Sequence, residues 1–168
     1  MQHAVDAANE VDVKTVIVVL GANADVLSKE MEGKPVYVAR NYEWKEGMAS
    51  SIRCGLKALL DISPATDTAI IMVCDQPFVS ASLLYELITE QKERGKKIVA
   101  SKYANTIGPP VLFHKSFFPE LMELKGDNGA RKLIKLYEDL VTTVAFPNGI
   151  IDIDTAAEYE ALKQNKFS

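Results

Sequence analysis

Six short apolar runs of strand length set the terms for any fold of this chain: Val16 to Leu20, Val36 to Ala39, Ala69 to Cys74, Ile98 to Ala100, Val111 to Phe113 and Val141 to Phe146. Most are continuous rather than alternating, and a strand that is apolar on both faces has to be covered on both. The covering is supplied by helical periodicity in the segments between them. Met48, Ile52, Leu56, Leu59 and Leu60 fall on one stripe, as do Leu83, Leu84, Leu87 and Ile88. Strands alternating with amphipathic helices predict an α/β fold of three layers, a mostly parallel sheet with helices on both faces. Ser80 or Ser82 is placed to cap a helix running to about Arg94, with Gly95 as its stop. Asp154 and Thr155 are placed to cap another over 156–163, and Lys102 to Pro110, with Gly108, Pro109 and Pro110, reads as a loop.

Composition narrows the function classes. A chain of 168 residues fits one domain over 1–168, and no linker or repeat interrupts it. The net charge of −4 offers no cationic face for a nucleic acid polymer. No apolar run reaches the roughly 18 to 20 residues that span a bilayer. The two cysteines, Cys54 and Cys74, sit in apolar contexts without zinc-ligand spacing. They are expected to be buried, reduced thiols in a cytoplasmic protein. The sequence enters a helical pattern at Gln2 with no strand before it, so the domain is expected to be incomplete at its N-terminal end.

Ligands of open parallel α/β sheets bind beyond the carboxyl ends of the strands, and that rule singles out three places. Asp75-Gln76-Pro77 directly follows the run ending at Cys74; its carboxylate can cap the next helix or hold a hard cation such as Mg2+. Asp152-Ile153-Asp154 puts two carboxylates on one side of an extended segment, for capping or for a cation that offsets their repulsion. Glu46-Gly47-Met48-Ala49-Ser50-Ser51 opens an amphipathic helix, where free N–H groups attract anions, although a simple cap explains it equally well. Gly126-Asp127-Asn128-Gly129-Ala130-Arg131 is a turn into a helix ending near Tyr137, with Arg131 available to an anion. Tyr42 and Trp44 lie beside Gly47, where they can line a pocket or pack. Hydrolase, zinc-protease, phosphate-loop and dinucleotide-fold motifs are absent.

In this order the segments resemble the MobA-like nucleotidyltransferases, in particular the molybdenum cofactor cytidylyltransferase branch. The matching pieces are Val16 to Gly21, Asn41 through Trp44 to Gly47-Met48 with Ser50 to Leu56, and Cys74-Asp75-Gln76-Pro77. Gly108-Pro109-Pro110-Val111-Leu112-Phe113, Gly126 to Arg131 and Asp152-Ile153-Asp154-Thr155 follow. The resemblance implies transfer of a nucleoside monophosphate from an NTP, CTP or GTP with CTP favoured, to a phosphorylated molybdopterin-type cofactor with release of pyrophosphate. A molybdoenzyme or its maturation factor is the implied protein partner. It implies Mg2+ on Asp75 and Asp154, with Asp152 the lesser alternative to Asp154. Gly47, Ser51 and Asp75 fall on the nucleotide side, and Gln76, Gly108, Asp127 and Arg131 on the substrate side. The chain departs from the pattern in two ways: the opening strand with its glycine-rich loop and lysine is missing, and Pro109 stands where asparagine is usual. A non-catalytic cofactor-binding module and a glycosyltransferase of similar fold are the competing expectations.

Overall fold

The computed structural model describes residues 1–11, 13–127 and 129–151. The chain runs α1 (Gln2–Glu10), β1 (Ile17–Leu20), α2 (Ala24–Glu30), β2 (Tyr37–Arg40), α3 (Met48–Ile62), β3 (Thr68–Ile71) and α4 (Ala81–Arg94). It continues with β4 (Ile98–Tyr103), β5 (Thr106–His114), α5 (Phe118–Met122), α6 (Arg131–Leu136) and β6 (Val141–Ala145), followed by a 3-10 turn over Pro147–Ile150. All six apolar runs become strands. Strand β1 pairs with β2 in parallel, and a second group runs β3-β5-β4-β6. There β4 and β6 are parallel while β5 is antiparallel to both β3 and β4. The α/β class with a mostly parallel β layer is therefore observed, with one strand reversed.

Helix α4 shows why its ends lie where they do. The Ser80 hydroxyl accepts from the Leu83 amide at 3.3 Å, and Gly95 closes the helix at φ 61°. Ser80 and not Ser82 is the cap. The region Lys102 to Pro110, expected as a loop, is a hairpin, with β4 reaching Tyr103 and β5 starting at Thr106. The prolines are tolerated because the register jumps from Ala100 opposite Val111 to Ser101 opposite Gly108. Pro109 and Pro110 thus occupy a bulge where no amide is asked of them. The Ser101 hydroxyl donates to the Pro110 carbonyl at 2.8 Å within it. Cys54 is half-buried and Cys74 exposed; the expected burial fails for Cys74 because its strand ends three residues earlier, at Ile71. The cap and helix expected at 154–163 lie outside the described residues.

Both faces of β4 and β5 are covered, whereas β2, expected to be buried on both faces, is mostly exposed. Ala49, Ile52 and Leu56 of α3 join Phe118, Leu121, Leu133 and Ile134 of α5 and α6 against Ile98, Ala100, Val111 and Phe113. On the other face, Leu83, Leu84 and Leu87 of α4 and Val11 pack on Val99, Leu112 and Val144. Helices α1 and α3 each touch both strand groups. Val5 of α1 packs with Val18 and Leu20 of β1, and Ala8 with the cluster holding Ile70 of β3. Gly55 of α3 meets Val19 of β1, while Leu59 and Leu60 share a cluster with Ala69 and Ile71 of β3. The two groups therefore lie in one layer between the same helices, and β1 and β3 are not paired with each other.

The α3–β1 contact tolerates no methyl group. A Cβ at residue 55 would sit 2.8 Å from the Val19 Cγ2, and a β-branched side chain on a strand has little freedom to yield. Gly55→Ala gains about 1 kcal/mol of helix propensity but is expected to lose more through overpacking, for a net destabilisation of about 1 kcal/mol. Urea unfolding of the two proteins side by side checks the sign.

Candidate functional site

Strands β3, β4 and β6 run in the same direction, so their carboxyl ends and the start of β5 share one edge of the layer. That edge gathers most of the residues singled out in the sequence. Asp75 follows β3 and is exposed. Gln76 beside it is 3% exposed, and its amide donates to the Gly149 carbonyl at 3.0 Å, tying the turn after β3 to the turn after β6. Its Oε1 is buried with no hydrogen-bond partner among the described residues. Gly149 in turn lies under two rings, because a Cβ there would come 2.7 Å from Cδ1 of Tyr103 and from Cε1 of Phe146.

Gly108 sits at the start of β5, and a Cβ on it would lie 2.6 Å from the Tyr103 hydroxyl and 3.0 Å from Nε of Arg131. Arg131 donates from Nη2 to that hydroxyl at 3.1 Å. Glycine is required because two side chains cross its backbone.

The start of α3 is bound to Gly126 and Asp127. Gly47 has φ 114°, a conformation that favours glycine, and a Cβ there would meet the Asp127 carboxylate and, at 2.8 Å, the Gly126 carbonyl. That carbonyl accepts from the Ala49 amide at 3.0 Å. One of the N–H groups expected to be free for a ligand is therefore taken by the chain itself. Ser51 is half-buried and receives a bond from Nδ2 of Asn41 at 3.1 Å, while Ser50 receives another at 2.8 Å and donates to the Gly47 carbonyl. Met48, placed on the apolar stripe by its spacing, is 46% exposed and faces Gly129.

Glu46 and Arg53 brace this junction. Arg53 holds both carboxylate oxygens of Glu46, at 2.9 and 2.5 Å, and donates to the Leu124 carbonyl. Glu46 also accepts from the Gly126 amide at 3.3 Å. The Arg53 hydrogen bond, then the Gly126 amide, hold the Glu46 carboxyl below its ordinary range, outweighing desolvation.

Two hollows on the described surface, of about 300 and 420 Å3, lie around Glu46, Arg53 and Lys125 and around Glu120, Lys132 and Tyr137; neither includes Asp75, Gly108 or Arg131. Trp44 is partly exposed and packs over Gly21 beyond β1, and Tyr42 is exposed. Asp75 is a single carboxylate here: the described residues contain no cluster of three potential metal ligands, and Asp152 and Asp154 lie outside them. The sequence brings out Gly47, Asp127, Gln76, Gly108 and Arg131, which the fold joins. It names Asn41 only as part of a matching segment, without its role in holding Ser50 and Ser51, and it misses Tyr103, which falls in the stretch read as a loop.

Residues 1–142 match the model of the MobA-like NTP transferase domain, and the chain belongs to that family. It is 29% identical over 123 residues to purine catabolism protein PucB of Bacillus subtilis, covering 71% of this chain and 58% of the relative. With nicotine blue oxidoreductase of Paenarthrobacter nicotinovorans it shares 26% identity over 129 residues, 71% of this chain and 60% of the relative. The chain thus spans about three-fifths of the length of these two relatives. Among solved structures, the Mycobacterium sp. strain JC1 homologue of Rv0371c superposes with a TM-score of 0.77 at 27% identity, over 97% of this chain and 80% of that one. The manganese complex of Rv0371c from Mycobacterium tuberculosis does so at 0.76 and 26%, over 96% and 83%. A nucleotidyl transferase from Methanothermobacter shares the fold at 0.78 and 21%, over 98% and 78%.

The brace at Glu46 has a pH signature. Its folded pKa is lowered, so the stabilisation is present above the ordinary value of 4.5 and is lost as pH falls below it, through the folded value. Glu46→Gln is expected to flatten the acid limb of the stability profile below about pH 4.5, as read by chemical unfolding across pH.

Proposed function

We propose that this chain forms the body of a nucleotidyltransferase that moves a nucleoside monophosphate from an NTP, with CTP favoured, to a phosphorylated molybdopterin-type cofactor, releasing pyrophosphate. The observation that carries this is the convergence of Asp75, the Gly47–Asp127 junction and the Gly108–Tyr103–Arg131 group on one sheet edge, in a chain of the NTP transferase family. Transfer of this kind is catalysed chiefly by positioning and by neutralising phosphate charge. The edge holds residue types suited to both tasks.

The residues present fit a divalent cation. A hard ion is commonly held by one or two carboxylates together with substrate phosphates and water, and Asp75 offers an exposed carboxylate at the end of β3. The Gln76–Gly149 bond brings the chain to that turn three residues before Asp152. Asp75 and Asp154 would hold Mg2+, and the manganese complex of a relative supports a divalent ion of this class. When bound, the ion offsets negative charge on the triphosphate. Gly47 and Ser51 line the nucleotide side. Gln76, Gly108, Asp127 and Arg131 set the acceptor side, Gln76 by fixing the turn and Arg131 by pairing with phosphate.

Strands β1 and β3 each have an edge without a partner strand among the described residues, and the residues of β3 are all half-exposed, although a strand apolar on both faces calls for burial.

The test is pyrophosphate release by the full-length protein given CTP or GTP, Mg2+ or Mn2+ and a phosphorylated pterin acceptor. Release with CTP is expected, reduced at least about a hundredfold by Asp75→Asn through loss of metal-borne charge stabilisation. Acceptor binding without nucleotide-dependent release would replace this reading with a binding module. Transfer from a nucleotide sugar would replace it with a glycosyltransferase.

A further inference from the structure

We propose that Tyr103 is a positioning residue: its buried hydroxyl fixes the Arg131 guanidinium across Gly108 so that it can receive a phosphate-bearing group. Tyr103 is 4% exposed at the end of β4. Its ring meets Phe146 edge-on, with centroids 6.0 Å apart at 83°, and presses on the backbone of Gly149. Held on two sides, the ring leaves its hydroxyl little freedom.

Phenylalanine would satisfy that packing. The hydroxyl adds a polar atom to a buried position, which is costly when unpaired, and Arg131 is the partner that offsets it at 3.1 Å. Gly108 makes the meeting possible, since any side chain there would strike the Tyr103 hydroxyl first and Arg131 next.

Arg131 itself is exposed and, among the described residues, pairs with no carboxylate. A guanidinium has five donors; one is spent on Tyr103, which orients the plane and leaves others for a ligand. A planar fork held at a fixed angle beside bare backbone is suited to bidentate binding of phosphate oxygens. Lysine could supply the charge but not the plane. The nucleotidyltransferase reading is needed here only to say which phosphate arrives.

Titration calorimetry of inorganic pyrophosphate into the full-length protein at low salt tests the assignment. Tyr103→Phe is expected to weaken binding about tenfold, as befits a lost hydrogen bond to a charged group. Arg131→Gln should weaken it at least as much, and the double variant no more than Arg131→Gln alone. A merely structural Tyr103 would lower stability without this coupling, so thermal unfolding is measured alongside. Unchanged binding in Tyr103→Phe, additive losses in the double variant, or no pyrophosphate binding by the wild type would each overturn the proposal. Coupled binding in a protein that shows no nucleotide-dependent turnover would sink the transferase reading and leave this one standing.

Discussion

Helix α3 crosses from one strand group to the other, and what lies at its two glycines governs most of the molecule. At Gly55 the absent side chain lets the helix approach Val19 of β1, while Ile52 and Leu56 of the same helix are buried in the core built on β4 and β5. At Gly47 a left-handed backbone brings the helix start against Gly126 and Asp127. Close packing converts both contacts into position: an interior at near-crystalline density does not let a helix drift by an ångström without losing contacts along its length. The site edge inherits its geometry from this helix, because Gly126, Asp127 and Gly129, which its start touches, stand just before Arg131.

From there the connections run on without a gap. Arg131 reaches Tyr103, Tyr103 covers Gly108 and Gly149, and Gly149 accepts from Gln76 next to Asp75. Four glycines stand at these crossings, at positions 47, 108, 129 and 149. Each removes a side chain so that another can pass. Close packing at these crossings fixes the side chains along the edge, and the proposed transfer chemistry depends on such alignment.

Much of this was legible in the residues. Continuous apolar runs marked all six strands, most clearly β4 and β5, which are largely buried, although β2 is mostly exposed and β3 half-exposed, and Ser80 with Gly95 framed α4 by well-understood capping chemistry. The hairpin at 102–110 was not legible, because Gly108, Pro109 and Pro110 signal a loop locally, and only the two-residue bulge opposite Ala100 and Ser101 admits them to a strand. Nor was the exposure of Met48, whose helical spacing matches Ile52 and Leu56 but whose place in the first turn puts it against Gly129 instead of the core. Tyr103 escaped notice for a related reason: a single tyrosine after an apolar run looks like packing until the guanidinium that meets it, 28 positions on, is seen.

The names of the relatives, one in purine catabolism and one an oxidoreductase of nicotine blue, show that kindred chains are associated with different small molecules. The proposed divalent cation at Asp75 is therefore the part of the functional reading to test first, and the acceptor the part most open to variation. The most direct measurement is anomalous diffraction from crystals of the full-length protein soaked with Mn2+ and CTP. The account predicts a manganese peak in direct coordination to the Asp75 carboxylate and to phosphate oxygens, with the peak lost in Asp75→Asn. A peak bound elsewhere, with Asp75 turned to a helix cap or to solvent, would contradict it.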